Sequence, residues 1–177
     1  MRLLCSNDDG ILARGLDCLE RAAQPLGEIW VVAPDREQSA TSHSLTLHHP
    51  LRPVQLADQR WQVDGTPTDC VMLAIEALMP ARPDFVLSGV NHGPNMGEDV
   101  LYSGTVSAAM EATVLGIPAI AFSFSGDSVA DLPAWEGSVR RLLLSMLDEG
   151  SFPADTLLSV NLPAIAPDRV QGVRVTS

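Results

Sequence analysis

Residues 2–10 read Arg2-Leu3-Leu4-Cys5-Ser6-Asn7-Asp8-Asp9-Gly10. An unbroken apolar run of this kind is what a strand buried on both faces requires. It ends in a polar turn, and Gly10 lets the backbone reverse there. The next segment, Ala13 to Gln24, sets Leu16, Leu19, Ala22 and Ala23 on one helical face, and Pro25 and Gly27 end it. A buried strand, a polar loop and an amphipathic helix in that order begin an α/β pattern.

The pattern continues along the chain. A second strand is expected over Glu28 to Ala33, followed by a polar Ser- and Thr-rich loop from Pro34 to Ser44. Leu45 to Val63 is less regular. Pro50 and Pro53 restrict it to short or edge strands, and a hairpin excursion fits between Leu51 and Val63. A helix over Pro67 to Met79, a strand over Asp84 to Ser88 and a long Gly- and Asn-rich loop from Gly89 to Ser103 come next. Helix Gly104 to Leu115 is closed by Gly116. Strand Ala119 to Ser123, helix Pro133 to Leu147 and strand Leu157 to Val160 repeat the unit, and the Val-alternating run Gly172 to Thr176 reads as a final strand. Strands alternating with helices imply a mostly parallel sheet with right-handed crossovers. The expectation is one α/β domain spanning residues 1–177, a three-layer Rossmann-like fold with a small β-hairpin excursion.

Composition narrows the function classes. The chain has 177 residues, 46% of them apolar, and that is enough for one domain with a full core. No apolar run approaches the roughly 20 residues that cross a bilayer, and no secretory leader is visible. Cys5, Cys18 and Cys70 show neither metal-ligand pairing nor a disulfide framework, which points to the reducing cytoplasm. A formal net charge of −11 speaks against nucleic acid as a partner. The same field repels a phosphate ester. With 11 Lys plus Arg in all, a bound metal and a helix N-terminus are the local means of overcoming it.

Four polar loops follow predicted strands: Asn7 to Gly10, Pro34 to Ser44, Gly89 to Ser103 and Ser123 to Asp127. In a parallel sheet they share one edge, where ligands bind. Adjacent carboxylates such as Asp8 and Asp9 repel each other unless a cation or a proton holds them, although an Asp-Asp-Gly sequence also serves as a plain turn. Hard divalent cations take carboxylate, amide and hydroxyl oxygens, so the candidates are Asp8, Asp9, Ser39, Asn91, Asn95, Glu98 and Asp99. The Gly89–Ser103 loop is long enough to be functional in its own right, the alternative being a turn whose asparagines cap their own backbone. It leads into Tyr102-Ser103-Gly104-Thr105 at a helix start, where open N–H groups and the hydroxyls of Ser103 and Thr105 suit a phosphate, or where Ser103 is simply the N-cap. Asp64 to Asp69 reads as structural instead: Thr66 as N-cap, Pro67 at the first helical position, Asp69 as capping-box partner. The four histidines have no metal-ligand spacing; His48 and His49 read as solvated, and His92 as a neighbour of the site.

Taken together these segments resemble the SurE family of stationary-phase survival proteins. The motifs that carry the resemblance are Asn7 to Gly10, Val31 to Arg36, Ser39 to Thr46, Gly65 to Cys70, Ser88 to Gly97 and Tyr102 to Val106. The resemblance implies a metal-dependent 5′-nucleotidase acting on nucleoside monophosphates, with some tolerance for 3′-nucleotides and short polyphosphate. It implies one Mg²⁺ or Mn²⁺ ion held by Asp8, Asp9, Ser39 and Asn91, and a phosphate surrounded by Asn95, Ser103, Gly104 and Thr105. It also implies homodimers or homotetramers built through an extended C-terminal arm, which this chain is expected to lack. Arg14 stands where many relatives carry Pro.

The mechanism expected from these residues has Asp8 or Asp9 orienting a water or taking its proton while a cation neutralises the phosphoryl group. Two other readings are open. Asp8 is a covalent nucleophile in one, although the phosphatases that work so carry Asp-x-Asp. The other is a nucleotide- or metal-binding module without turnover.

Overall fold

The computed structural model describes residues 1–147, 152 and 155–176. Seven strands form one sheet: β1 (Arg2–Ser6), β2 (Glu28–Pro34), β3 (Pro53–Ala57), β4 (Arg60–Val63), β5 (Phe85–His92), β6 (Ala119–Phe124) and β7 (Leu157–Leu162). Their order across the sheet is β3-β4-β2-β1-β5-β6-β7. All adjacent pairs are parallel except β3 with β4, which form the hairpin excursion. Pro53 opens β3 on the sheet edge, where its missing N–H costs no ladder bond.

The period-2 side-chain alternation of a strand divides the core in two. Leu3 and Cys5 of β1 join Phe85, Leu87, Ile120 and Phe122 on one face. That face is covered by α1 (Arg14–Ala23), through Leu16, Leu19, Ala22 and Ala23, and by α4 (Leu132–Met146), through Leu132, Trp135, Val139 and Leu143. Leu4 and Val86 point to the other face, covered by α2 (Pro67–Leu73) and α3 (Gly104–Val114). The small side chains Ala108, Ala109 and Ala112 let α3 lie close to the sheet. The result is the expected three-layer Rossmann-like architecture.

After β1 the chain crosses to β2 on one side, and β5 later pairs with β1 on the other. This reversal of strand order opens a crevice at the carboxyl ends of β1 and β5, where α/β sheets bind ligands. Two details of β5 shape it. Pairing of β5 with β6 breaks after Ser88 and resumes at Asn91 with Ser123, so a bulge brings Asn91 to the sheet edge. The strand then runs to His92, and a 3₁₀ helix occupies Gly97–Leu101. The segment from Gly89 to Ser103 is therefore not the structureless loop expected from its glycines and asparagines.

Two further expectations are corrected. The helix expected over Pro67 to Met79 is α-helical to Leu73 and continues as a π-helical turn over Ala74–Leu78. The run Gly172 to Thr176 forms no strand; Val173 and Val175 stand 77% and 92% exposed, so alternation without a pairing edge and a face to bury did not suffice. Part of the linker before β7 lies outside the described residues.

The capping role read for Asp69 holds, and it reaches further than α2. Thr66 and Asp69 form a reciprocal capping box. The buried Asp69 carboxylate also accepts the Thr46 backbone N–H at 3.0 Å and its hydroxyl at 2.6 Å. Thr66 in turn donates its hydroxyl to the Ser44 carbonyl at 2.8 Å. These bonds fasten the long β2–β3 connection to the start of α2. Asp69→Ala is expected to lower the unfolding free energy by roughly 3 kcal/mol, the scale for losing charge-assisted hydrogen bonds and leaving buried donors unmade. Asp69→Asn, which keeps one acceptor oxygen, is expected to cost less; urea unfolding of the two variants checks the order.

Candidate active site

Asp8 and Asp9 leave β1 at its carboxyl end. The turn is closed by Asn7, whose side-chain amide donates to the Gly10 carbonyl at 3.0 Å. The Gln38 N–H donates to the Asp8 carbonyl at 2.7 Å, and the Ile11 N–H to the Pro34 carbonyl at 2.8 Å. The loop after β2 is thereby held against the loop after β1, bringing Glu37 and Ser39 beside the two aspartates. The Ser39 hydroxyl donates to the Glu37 carboxylate.

The Asp8 side chain is buried at the start of α3. The Thr105 hydroxyl donates to Asp8 Oδ1, and the Thr105 backbone N–H adds a second hydrogen bond. Gly104 is required by this approach: a Cβ there would lie 2.7 Å from Asp8 Cβ. A helix N-terminus favours an anion, and here the anion it meets is Asp8. Burial nevertheless pushes the Asp8 carboxyl above its ordinary range, against the lowering effect of Thr105. Asp9 is half-buried and is pushed up to about 6, first by burial and then by the charge of Asp8. Its Oδ2 accepts the His92 N–H at 3.4 Å.

The opposite wall comes from the segment after β5. Asn91 donates its amide nitrogen to the Gly93 carbonyl at 2.9 Å, which leaves its amide oxygen as the atom open to a cation. Asn95 is buried. Asn161, at the carboxyl end of β7, brackets its backbone by accepting the Asn95 N–H at 2.9 Å and donating to the Asn95 carbonyl at 3.0 Å. The Asn95 side-chain nitrogen donates to Ser123 Oγ at 2.8 Å. Ser103 caps α3, accepting the Val106 N–H at 3.1 Å.

These groups surround a cavity of about 400 Å³ lined by Asp8, Asp9, Glu37, Ser39, Asn91, His92, Asn95, Asp99, Tyr102 and Ser103, with Ala40 and Pro94. Of the residues expected from sequence, the structure thus gathers Asp8, Asp9, Ser39, Asn91, Asn95, Asp99 and Ser103. Glu98 does not line the cavity. Nor do Gly104 and Thr105, which stand behind Asp8; the Thr105 hydroxyl is fully buried and committed to that carboxylate, so it does not face a phosphate as the sequence suggested. Glu37, Ser123 and Asn161 escaped the sequence reading. Asn161 carried a usable signal, a lone amide within the apolar strand Leu157–Leu162.

Among the described residues, four carboxylates and no Lys or Arg line the cavity. Among the described residues no three His, Cys, Asp or Glu side chains stand close enough to hold a metal together. A cation bound by Asp8 and Asp9 therefore needs neutral oxygens, and Ser39 and Asn91 supply a hydroxyl and an amide oxygen on the adjoining walls. This is the hard-oxygen donor set of Mg²⁺ or Mn²⁺. A cation would also favour the charged forms of both carboxyls, which burial pushes upward.

Comparison with known proteins places the chain in a family. A family model described as "Survival protein SurE" matches residues 3–177. The 5′-nucleotidase SurE of Gemmatimonas aurantiaca is 70% identical over 179 residues, covering 99% of this chain and 71% of that protein. The 5′-nucleotidase SurE of Geotalea daltonii is 49% identical over 177 residues, covering 100% of this chain and 71% of its own length. The crystal structure of the SurE protein from Aquifex aeolicus superposes with a TM-score of 0.93 at 43% identity, covering 99% of this chain and 71% of that one.

The raised Asp9 carboxyl makes a signed prediction. Between the ordinary carboxylate range and about 6, folded Asp9 keeps a proton that the unfolded chain has released. Stability contributed this way is complete below about pH 4 and lost as pH rises through about 6. In chelator, the melting temperature is expected to fall across that window, and Asp9→Asn is expected to flatten the fall. An unchanged slope in Asp9→Asn would contradict the assignment.

Proposed function

The chain belongs to the SurE family, and from that premise we propose that its cavity hydrolyses nucleoside 5′-monophosphates to nucleoside and inorganic phosphate with the help of one divalent cation. The observation that carries this reading is the meeting of Asp8, Asp9, Ser39 and Asn91 around a cavity where, among the described residues, no Lys or Arg side chain faces a phosphate. A dianionic ester enters such a site only if its charge is offset locally.

Asp8, Asp9, Ser39 and Asn91 would hold the cation, and Mg²⁺ or Mn²⁺ suits their oxygens. When bound, it supplies the positive charge that draws the phosphoryl oxygens in and acidifies the attacking water. The remaining work falls to the chain. Asp8, locked by Thr105 and backed by Gly104, is a fixed point of the site. Asp9 faces the cavity with a long contact to the His92 amide, and is the carboxylate better placed to orient a water and take its proton. Ser103 accepts the Val106 N–H yet retains its own hydroxyl proton, and Asn95 retains a second amide proton; both would donate to phosphoryl oxygens as charge builds. Tolerance for 3′-nucleotides and short polyphosphate is carried over from the family resemblance. The three cysteines are free and buried, and no helix among the described residues is long and apolar enough to cross a membrane; we assign the cytoplasm as the working compartment.

Phosphate release from AMP is the direct test. Chelation is expected to abolish it, and added Mn²⁺ or Mg²⁺ to restore it. Asp8→Asn and Asp9→Asn are expected to lose about a hundredfold or more in kcat while keeping the wild-type circular dichroism spectrum. Gly104→Ala, which drives a methyl group into Asp8, is expected to lose activity in the same range. Full turnover in either aspartate variant, or turnover indifferent to chelator, would refute the reading.

A further inference from the structure

We propose that Glu37 is a positioning residue for the cation site: by accepting the proton of the Ser39 hydroxyl, it turns a lone pair of Ser39 Oγ toward the metal. The inference rests on the metal-dependent reading of the cavity.

A hydroxyl carries one proton and two acceptor lone pairs. To ligate a cation through oxygen it must send its proton elsewhere, and an outer acceptor that fixes this direction sets the ligand's orientation and basicity. In this structure the acceptor is Glu37, two residues before Ser39 on the same loop. The loop between them is not free to drift. The Gln38 N–H is bonded to the Asp8 carbonyl at 2.7 Å, and the Thr41 hydroxyl returns to the Gln38 carbonyl at 3.0 Å. Pinning Gln38 to Asp8 fixes both neighbours relative to the carboxylate that the metal would share with Ser39.

Glu37 itself is not placed as a ligand. It does not form a group of three acidic side chains with Asp8 and Asp9 close enough to hold an ion, and it stands in solvent at the cavity mouth. Its charge is felt across the cavity all the same, adding to the upward push on both aspartates. Glu37 thus has two ways to favour a cation, through the Ser39 hydroxyl and through its field, and the proposal gives the larger share to the first.

A double-mutant cycle on Mn²⁺ affinity separates them. Isothermal titration of Mn²⁺ is performed on the full chain, on Glu37→Ala, Glu37→Gln and Ser39→Ala, and on the Glu37→Ala/Ser39→Ala double variant. Glu37→Ala is expected to weaken Mn²⁺ about tenfold, the lower end of the range for removing an outer partner of a metal ligand. Glu37→Gln, whose amide oxygen still accepts the Ser39 proton, is expected to stay within about threefold of wild type. In the Ser39→Ala background, Glu37→Ala is expected to add less than about twofold. At saturating Mn²⁺, AMP turnover by Glu37→Ala is expected to recover, because the residue acts on metal binding.

The proposal is overturned if Glu37→Ala binds Mn²⁺ like wild type, or if its loss is equally large without the Ser39 hydroxyl. The second outcome would reassign Glu37 to a pure field effect. A turnover defect that persists at saturating Mn²⁺ would overturn it as well, by giving Glu37 a part in the chemistry. Wild-type protein that binds no Mn²⁺ would overturn the metal reading itself, an outcome distinct from either variant result.

Discussion

The Thr105 hydroxyl reaches from the first turn of α3 to the Asp8 carboxylate, joining residues 97 apart in the chain. Much of the sheet edge depends on that contact. Asp8 is withdrawn from water beside a second carboxylate, an arrangement that costs free energy unless something positive or protic faces it. The N-terminus of α3 supplies part of the compensation through a hydroxyl, a backbone N–H and the positive end of the helix. Gly104 is the condition for it, since any side chain there would occupy the space of Asp8. Compensation remains incomplete, as the raised carboxyls of Asp8 and Asp9 record. A divalent cation is the natural complement to what is left over.

The same charge arithmetic governs the substrate side. Among the described residues, Glu37 and Asp99 bring the carboxylates around the cavity to four, with no guanidinium or ammonium lining it. Such a cavity repels a phosphate dianion by itself, and a cation held by Asp8 and Asp9 would offset that repulsion where the phosphoryl group sits. Affinity for the metal and affinity for the ester are in this way one electrostatic property. The rigidity needed to exploit it comes from outside the cavity. Asn161 and Ser123, on the carboxyl ends of neighbouring strands, grip the Asn95 segment, and Asp69 fastens the far end of the loop that carries Glu37 and Ser39.

Much of the fold was legible in the sequence because buried parallel strands and amphipathic helices leave strong one-dimensional patterns. The run Leu3 to Ser6 and the helix face of Leu16, Leu19, Ala22 and Ala23 were read within a residue or two of their observed places. The failures have physical reasons. Asn91 and His92 look like loop residues, yet a bulge re-registers them onto β6, and a bulge has no periodic signature. Gly172 to Thr176 alternates like a strand, yet pairing depends on an available edge, which the local sequence does not encode. Thr105 looked like a phosphate ligand because a small polar residue at a helix start is ambiguous between facing a ligand and facing the protein.

What the sequence by itself determined was the alternation of layers, the gathering of polar loops, Asp8 and Asp9 among them, at one edge of the sheet, and the acidity that makes a cation necessary for any phosphate chemistry. These follow from hydrophobic period and charge, both local or additive quantities. Only the tertiary structure decided which polar groups face the cavity and which face one another. It turned Thr105 inward to Asp8, gave Asn95 to Asn161 and Ser123, and set Glu37 against Ser39. Hydrogen bonds are directional and short, so such pairings are settled by distances between segments far apart in the chain, which residue order does not contain.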